Sequence, residues 1–184
     1  MGFHTFDADK AENLEDLSRY QYLSVDELLA TFEPQPDDVV ADIGSGTGFY
    51  TDEIAPHVEK VYAVDVQPAM HETYQEKEVP ENVEFVTAEA QDMPFDDGAL
   101  DAVVSTMTYH EFASDEATAE LARVLAPGGR LAIADWTATG EGRSGPPLDE
   151  RFDADTAAEQ LEAGGFEVVD ATDRRETFVL AARR

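Results

Sequence analysis

An aspartate stands two residues ahead of three glycines at alternate positions: Asp42, then Gly44, Gly46 and Gly48, within Val39-Val40-Ala41-Asp42-Ile43-Gly44-Ser45-Gly46-Thr47-Gly48-Phe49. The apolar run before them predicts a buried strand. The glycines therefore fall where a strand must turn into a helix and where backbone can approach a ligand closely. Their spacing is G-x-G-x-G, whereas a dinucleotide turn uses G-x-G-x-x-G, and Phe49 fills the place of its last glycine. A carboxylate at Asp42 repels a pyrophosphate and attracts a cation, which points to a ligand with an ammonium or sulfonium group beside the turn. Asp65 lies 21 positions beyond Gly44, at the end of the next apolar run. An acid at that spacing grips a ribose diol through two charge-assisted hydrogen bonds. Beyond a third run comes Ala88-Glu89-Ala90-Gln91-Asp92-Met93-Pro94-Phe95. There an acidic side chain can accept from an adenine amino group while a backbone N–H serves a ring nitrogen. The three signals together describe a ribose, an adenine and a cationic tail, without a phosphate.

Such residues need a scaffold that delivers them to one edge. From Val39 onward short apolar runs alternate with helical stretches. Strands are expected at Val39 to Ile43, Val61 to Asp65, Val83 to Thr87, Leu100 to Thr106 and Arg130 to Trp136. Helices are expected at Thr47 to Val58, with Pro56 near the end, and at Pro68 to Lys77. Another starts at the Ser114 cap with Asp115 and Glu116 in its first turn, and stops by Pro127-Gly128-Gly129. Asp153 caps a last helix ending at Gly164-Gly165. Two closing strands, Phe166 to Asp170 and Thr177 to Ala182, have too short a link for a crossover helix and must pair antiparallel. The alternation predicts an α/β fold, a doubly wound, Rossmann-like, mostly parallel sheet of seven strands covered on both faces, with ligands at the strand carboxyl ends. Asp9 to Phe32 reads as helical, with Ser24 as an internal cap, and Pro34 and Pro36 end it. Residues 1–36 are thus expected to form a helical cover over a domain at 37–184, one compact unit overall.

With these elements in this order the chain resembles a class I S-adenosylmethionine-dependent methyltransferase, similar to the small-molecule enzymes of ubiquinone and menaquinone biosynthesis. The resemblance rests on Asp42 to Gly48, Val64-Asp65, Ala88 to Phe95, and Arg123-Val124-Leu125-Ala126-Pro127-Gly128-Gly129-Arg130. It implies S-adenosylmethionine as cofactor and a small-molecule methyl acceptor as partner. By similarity Asp42 and the backbone at Gly44 and Gly46 hold the methionine part, and Asp65 holds the ribose hydroxyls. Val66 lies on the adenine face, Glu89 and Ala90 meet the adenine edge, and Thr106 floors the site near the transferring methyl. Members more often carry Asp than Glu at position 89, and Gly ahead of that acid where this chain has Ala88.

Methyl transfer from a sulfonium is an in-line displacement, so the protein must align donor and acceptor and exclude water. A base is needed only where the acceptor must lose a proton. Candidates lie in Thr106-Met107-Thr108-Tyr109-His110-Glu111-Phe112, with His110 and Tyr109 as the expected catalytic side chains. No metal is expected, since His110 and Glu111 are adjacent and lack spaced companions. Trp136 either lines the acceptor cavity or packs. An aromatic patch of Phe3, His4 and Phe6 suits a lid. The loop from Thr137 to Glu150 lacks the long insertion that caps the substrate in many members, so the pocket is expected either to be open or to be closed mainly by the N-terminal helices. A nicotinamide-dependent reductase, a non-catalytic cofactor-binding protein and a macromolecule methyltransferase are the alternatives.

Charge sets the surroundings. The 184 residues hold 41 Asp plus Glu against 12 Lys plus Arg, a net charge of −29, and no Cys. The acids are dispersed along the chain rather than gathered in a tail, which reads as adaptation to a high-salt cytoplasm, as in a halophile, with a binder of basic partners as the alternative. Phosphate backbones would be repelled, so no nucleic-acid partner is expected. No apolar run approaches the ~20 residues of a membrane span, and the start of the chain lacks a signal-peptide pattern.

Overall fold

The computed structural model of the protein describes Phe6 and residues 8–184. Phe3 and His4 of the expected aromatic patch lie outside the described residues. Seven strands form one sheet in the order β3-β2-β1-β4-β5-β7-β6. They are β1 (Val39–Ile43), β2 (Lys60–Asp65), β3 (Val83–Thr87), β4 (Leu100–Thr106), β5 (Leu125–Trp136), β6 (Glu167–Asp173) and β7 (Thr177–Arg183). The first five run parallel, and β7 inserts antiparallel between β5 and β6. The expected fold class holds, down to the antiparallel last strand.

The apolar runs are continuous because both faces of the sheet are buried. Alternate residues serve opposite cores: Val40, Ala102, Val104 and Ala132 pack toward Leu28, Phe32 and Ile54, whereas Ala41, Val103, Leu131 and Ile133 pack toward Leu121, Val124 and Leu161. The first core includes α1 (Val25–Phe32) and α2 (Thr51–Ile54); the second includes α5 (Asp115–Val124) and α6 (Ala154–Ala163). Caps fix several helix starts. Ser24 Oγ accepts from the Glu27 N–H, Ser114 Oγ from Ala117, and Asp153 Oδ1 from Thr156.

Three helical expectations change. Asp9 to Phe32 is not one helical pattern around a cap but two 3₁₀ stretches, Ala8–Glu15 and Leu17–Gln21, followed by α1. Thr47 to Val58 is helical only from Thr51, because Gly48 at φ 82 keeps the turn open, and the helix tightens into a 3₁₀ turn at Ala55–His57, around Pro56. Helix α5 ends at Val124, and its successor Leu125 already pairs with Leu100 in the sheet. Helix α3 (Pro68–Gln75) starts on its proline as expected.

Crossovers from β1 lead outward through β2 to β3 on one side. The later strands lie on the other, so β1 and β4 flank the switch point where a cleft opens at the strand carboxyl ends.

Candidate functional site

Above that switch point lies a cavity of about 1140 Å³. Its floor follows the sheet order. The segment after β3 supplies Glu89 and Ala90, and the end of β2 supplies Asp65 and Val66. The turn after β1 supplies Gly44 to Thr47, the end of β4 supplies Thr106 with His110 beyond it, and the end of β5 supplies Trp136.

The turn after β1 is pinned from below. Gly44 and Ser45 both donate to the Val64 carbonyl (2.8 and 3.0 Å), Gly48 donates to the Ser45 carbonyl (2.9 Å), and Gly46 donates to Asp65 Oδ2 (2.9 Å). These N–H groups are spent within the protein, so the turn is not a diphosphate cradle of free donors. The backbone role expected at Gly44 and Gly46 is correspondingly narrowed to close approach and carbonyl oxygens. Close approach is built in. Gly46 has φ 55, and a Cβ on Gly44 would lie 2.3 Å from Thr108.

Asp65 accepts from Gly46 through one oxygen and from the Gln67 N–H through the other (2.8 Å). Each oxygen keeps a second lone pair for a ligand hydroxyl. Burial raises its pKa, opposed by the Gln67 and Gly46 donors. Val66 is 44% exposed, a large apolar side chain left bare at the rim beside it.

Two of the expected site residues stand away from the cavity wall. Asp42 does not line the cavity. It lies buried beneath the turn, where its Oδ2 accepts from the Thr51 hydroxyl (2.6 Å) and its Oδ1 has no partner. Burial pushes its carboxyl up to about 6, with the Thr51 hydroxyl opposing. Tyr109 does not line it either. Its ring is buried against Phe112, Phe152 and Phe178, and its hydroxyl donates to Gln160 Oε1 on α6 (2.8 Å). At ~100° per residue, adjacent positions on the helical turn α4 (Tyr109–Phe112) face apart, so with His110 toward the cavity Tyr109 turns into the core.

His110 is held by a residue that the sequence reading passed over. Asp135, fully buried near the end of β5, takes His110 Nδ1 at 2.9 and 3.0 Å, and also accepts from the backbone N–H of His110 (2.6 Å) and of Trp136 (2.7 Å). A carboxylate only accepts, so Nδ1 carries the proton and Nε2 of the neutral ring keeps its lone pair. Burial works against charge on the imidazole, but the hydrogen bond and charge of Asp135, with Glu111 and Glu150, outweigh it and raise the pKa. Glu111 Oε1 stands 4.0 Å from Nε2, and burial pushes that carboxyl up to about 7, against the pull of His110. An acid inside the apolar run Leu131-Ala132-Ile133-Ala134-Asp135-Trp136 was the available signal. Among the described residues no three His, Asp or Glu side chains are gathered as a metal site requires.

The remaining walls come from Asn13, Leu14 and Arg19 of the N-terminal segment and from the 144–147 loop. That loop is firmer than its short length suggested. The buried Arg151 donates to the carbonyls of Ser144 and Pro146, and Tyr22 and Ser144 share a hydrogen bond of 2.7 Å between their hydroxyls.

The profile of the Methyltransferase domain family matches residues 41–133. The chain is similar to an S-adenosylmethionine-dependent methyltransferase structure from Aquifex aeolicus, with 31% identity and a TM-score of 0.89 over 97% of this chain and 99% of that one. It is 32% identical to an uncharacterised methyltransferase-like protein of Schizosaccharomyces pombe over 70% of this chain and 50% of that protein. To a demethylmenaquinone methyltransferase of Thermus thermophilus it is 38% identical, over 58% of this chain and 50% of that one. The chain spans about half the length of these two curated relatives.

Proposed function

Because the chain belongs to the S-adenosylmethionine-dependent methyltransferases, we propose that it moves the methyl group of that cofactor onto a small organic acceptor seated over the ends of β4 and β5. The observation that carries this reading is the single cavity wall running from Glu89 through Asp65 and the glycine turn to His110 and Trp136. It offers, in linear order, partners for an adenine, a ribose, an amino-acid tail and a second molecule. The cavity exceeds the ~300–1,000 Å³ of a typical small-ligand pocket, which leaves room for two reactants.

The chain's own groups fit the cofactor. Asp65 has free lone pairs for the ribose diol, and Val66 offers an apolar face to the adenine. Glu89 and Ala90 edge the adenine site, and Thr106 floors the middle. Asp42, with its unpartnered Oδ1 beneath the turn, supplies negative charge under the cationic tail. When bound, S-adenosylmethionine supplies an electrophilic methyl on a sulfonium. Held beside it, the acceptor needs alignment and exclusion of water more than chemical assistance. His110, oriented by Asp135, accepts a proton at Nε2 from an acceptor that must lose one. The N-terminal residues from Asn13 to Tyr22 cover the site and keep water out.

A small-molecule acceptor, of the quinone-precursor kind or a hydroxylated relative, is supported by the Thermus thermophilus relative and by an O-methyltransferase of Penicillium expansum, 31% identical over 79% of this chain and 58% of that one. The aromatic and proline walls of Tyr22, Phe112, Trp136, Pro146 and Pro147 suit an apolar body. A high-salt cytoplasm as its setting is supported by the charge of −29.

Calorimetry with S-adenosylmethionine tests the cofactor site. Asp65→Ala should weaken binding about 100-fold, the loss of two hydrogen bonds to a charged group. Unchanged affinity in a variant that melts like the parent would refute the assignment. A screen of native metabolites with labelled methyl donor then identifies the acceptor.

A further inference from the structure

The half of the cavity over the ends of β4 and β5, where the acceptor is seated, carries charge of one sign. Among the described lining residues there, Glu111 and Glu150 are the acids, and no Lys or Arg stands with them. Arg19 lies at the β1 end, its guanidinium 4.8 Å from the Phe49 ring centroid. Arg151 lies behind the wall, buried beside the Trp136 ring, with its donors turned to the carbonyls of Thr137, Ser144 and Pro146. Asp135 adds a further anion behind His110. The His110 side chain is only 9% exposed and its Nδ1 faces Asp135, so Nε2, at the opposite edge of the ring, faces the cavity. Among the described residues no group hydrogen-bonds to Nε2, and Glu111 Oε1 stands 4.0 Å away. His110 and the Phe6 backbone N–H favour the charge of Glu111, but burial, Asp135 and Asp65 outweigh them.

We infer that the acceptor is an amine on an apolar body, received in its ammonium form by Glu111 and Glu150 and methylated on nitrogen. The inference rests on the methyltransferase reading and narrows its acceptor. It keeps the apolar body that suits Tyr22, Phe112, Trp136 and the prolines, and puts a nitrogen in place of the hydroxyl considered above. The reason is the direction in which charge moves. A hydroxyl that must lose its proton reacts as an anion, and here that anion would form among Glu111, Glu150 and Asp135, which repel it. A carboxylate or phosphate on the acceptor meets the same repulsion. An amine nitrogen reacts neutral and gains positive charge as the methyl arrives, so the same carboxylates favour the transition state over the ground state. The step balances. The ammonium gives a proton to His110 Nε2, and Asp135 holds the resulting imidazolium. The freed lone pair forms the N–C bond as the C–S bond breaks, and that bond's electron pair stays on sulfur. The nitrogen keeps one positive charge as a methylammonium, the thioether is neutral, and His110 returns its proton to solvent. Before reaction the ammonium also gives the buried Glu111 carboxylate a cation, and the carboxylates offset the repulsion between an ammonium and a neighbouring sulfonium.

Trp136, the one tryptophan of the chain, lines this half of the cavity, and its fluorescence reports what binds there. With S-adenosylhomocysteine in place as spent cofactor, matched ligands are titrated: benzyl, 2-phenylethyl and cyclohexylmethyl bodies, each as amine, alcohol and carboxylate. At least one amine should bind about 10–100-fold tighter than its alcohol, the worth of a hydrogen bond to a charged group, with the carboxylate weakest. Glu111→Gln should remove most of that preference, and Glu111→Gln combined with Glu150→Gln should bring amine and alcohol within about threefold of each other. Amines no tighter than their alcohols, failure of every amine to bind, or a preference that survives the double substitution overturns the inference. Tyramine, which offers both a phenol and an amine, should take label from the methyl donor on nitrogen. Label on its oxygen, or no label on nitrogen in any amine that binds, equally overturns it. Should either variant not fold, the order of the three ligand classes on the unaltered protein still decides. Calorimetry that shows no binding of S-adenosylmethionine sinks the methyltransferase reading itself, whereas cofactor binding without an amine preference sinks this inference alone.

Discussion

His110 and Asp135 form the part of the site where a single hydrogen bond sets the chemistry. Asp135 faces Nδ1, fixing the tautomer and favouring the imidazolium, and Glu111 and Glu150 add to that field. A pKa raised on folding has a definite consequence for stability. The pair stabilises the fold fully below the unfolded histidine's pKa of ~6.5, and that contribution fades as pH rises through the folded value. Asp135→Asn removes the anion while keeping an acceptor. The His110 imidazole should then titrate at lower pH than in the parent, followed by its ring proton resonances in NMR. Titration at or above the parent's value would mean that Asp135 does not govern the ring. At this scale the sequence was readable where a motif fixed the neighbourhood: Asp65, Glu89 and His110 all reach the cavity because each follows a strand end. Asp135, Glu150 and Arg19 were not read as parts of the site, because their meaning comes from neighbours distant in the chain. Tyr109 was misread because one residue of helix is about 100° of rotation.

Among the elements, the turn after β1 is the most constrained. Gly48 has φ 82, and a Cβ there would lie 2.0 Å from the Tyr74 ring, whose hydroxyl is tied to Asp52 at 2.5 Å. Gly128 has a similar φ of 79, with nothing within 4 Å of its would-be Cβ. The two positions separate backbone strain from crowding. Gly128→Ala should cost only the left-handed penalty, about 1–2 kcal/mol. Gly48→Ala adds a collision with a buried ring and should cost at least ~2 kcal/mol more, a fall in Tm of about 10 °C in total. Equal melting temperatures for the two variants would show that the ring yields freely. The strands were legible before the structure because burial on both faces leaves continuous apolar runs, such as Val39 to Ile43. The helices were less so. The pattern from Thr47 to Val58 looked helical throughout, yet the positive φ at Gly48 delays the start to Thr51. Ahead of the Ser24 cap the apolar residues are too irregularly spaced for an α-helix, and 3₁₀ turns take its place, whereas α1 follows the cap as read.

Taken whole, the molecule is governed by its surplus of acid. With 41 carboxylates and 12 Lys plus Arg, most acids have no cation to pair with. Several of the ion pairs that do form, such as Arg183–Glu33 and Arg175–Glu141, are exposed and contribute little. Salt therefore has little attraction to weaken and much repulsion to screen. As the Debye length falls from ~10 Å at 0.1 M to ~3 Å at 1 M, repulsion between acids on neighbouring elements should disappear. Thermal unfolding in KCl should show Tm rising by at least ~10 °C from about 0.1 to 1 M, then flattening as screening saturates. Sucrose at matched water activity separates the causes, since it strengthens burial without screening charge. If sucrose reproduces the rise, or if Tm is indifferent to KCl, repulsion does not limit this fold and the acid surface needs another explanation. The same titration bears on the cavity. Contacts with the buried Asp65, shielded from solvent ions, should lose little affinity as salt rises. Cofactor affinity corrected for the folded fraction should thus fall less than tenfold across that range.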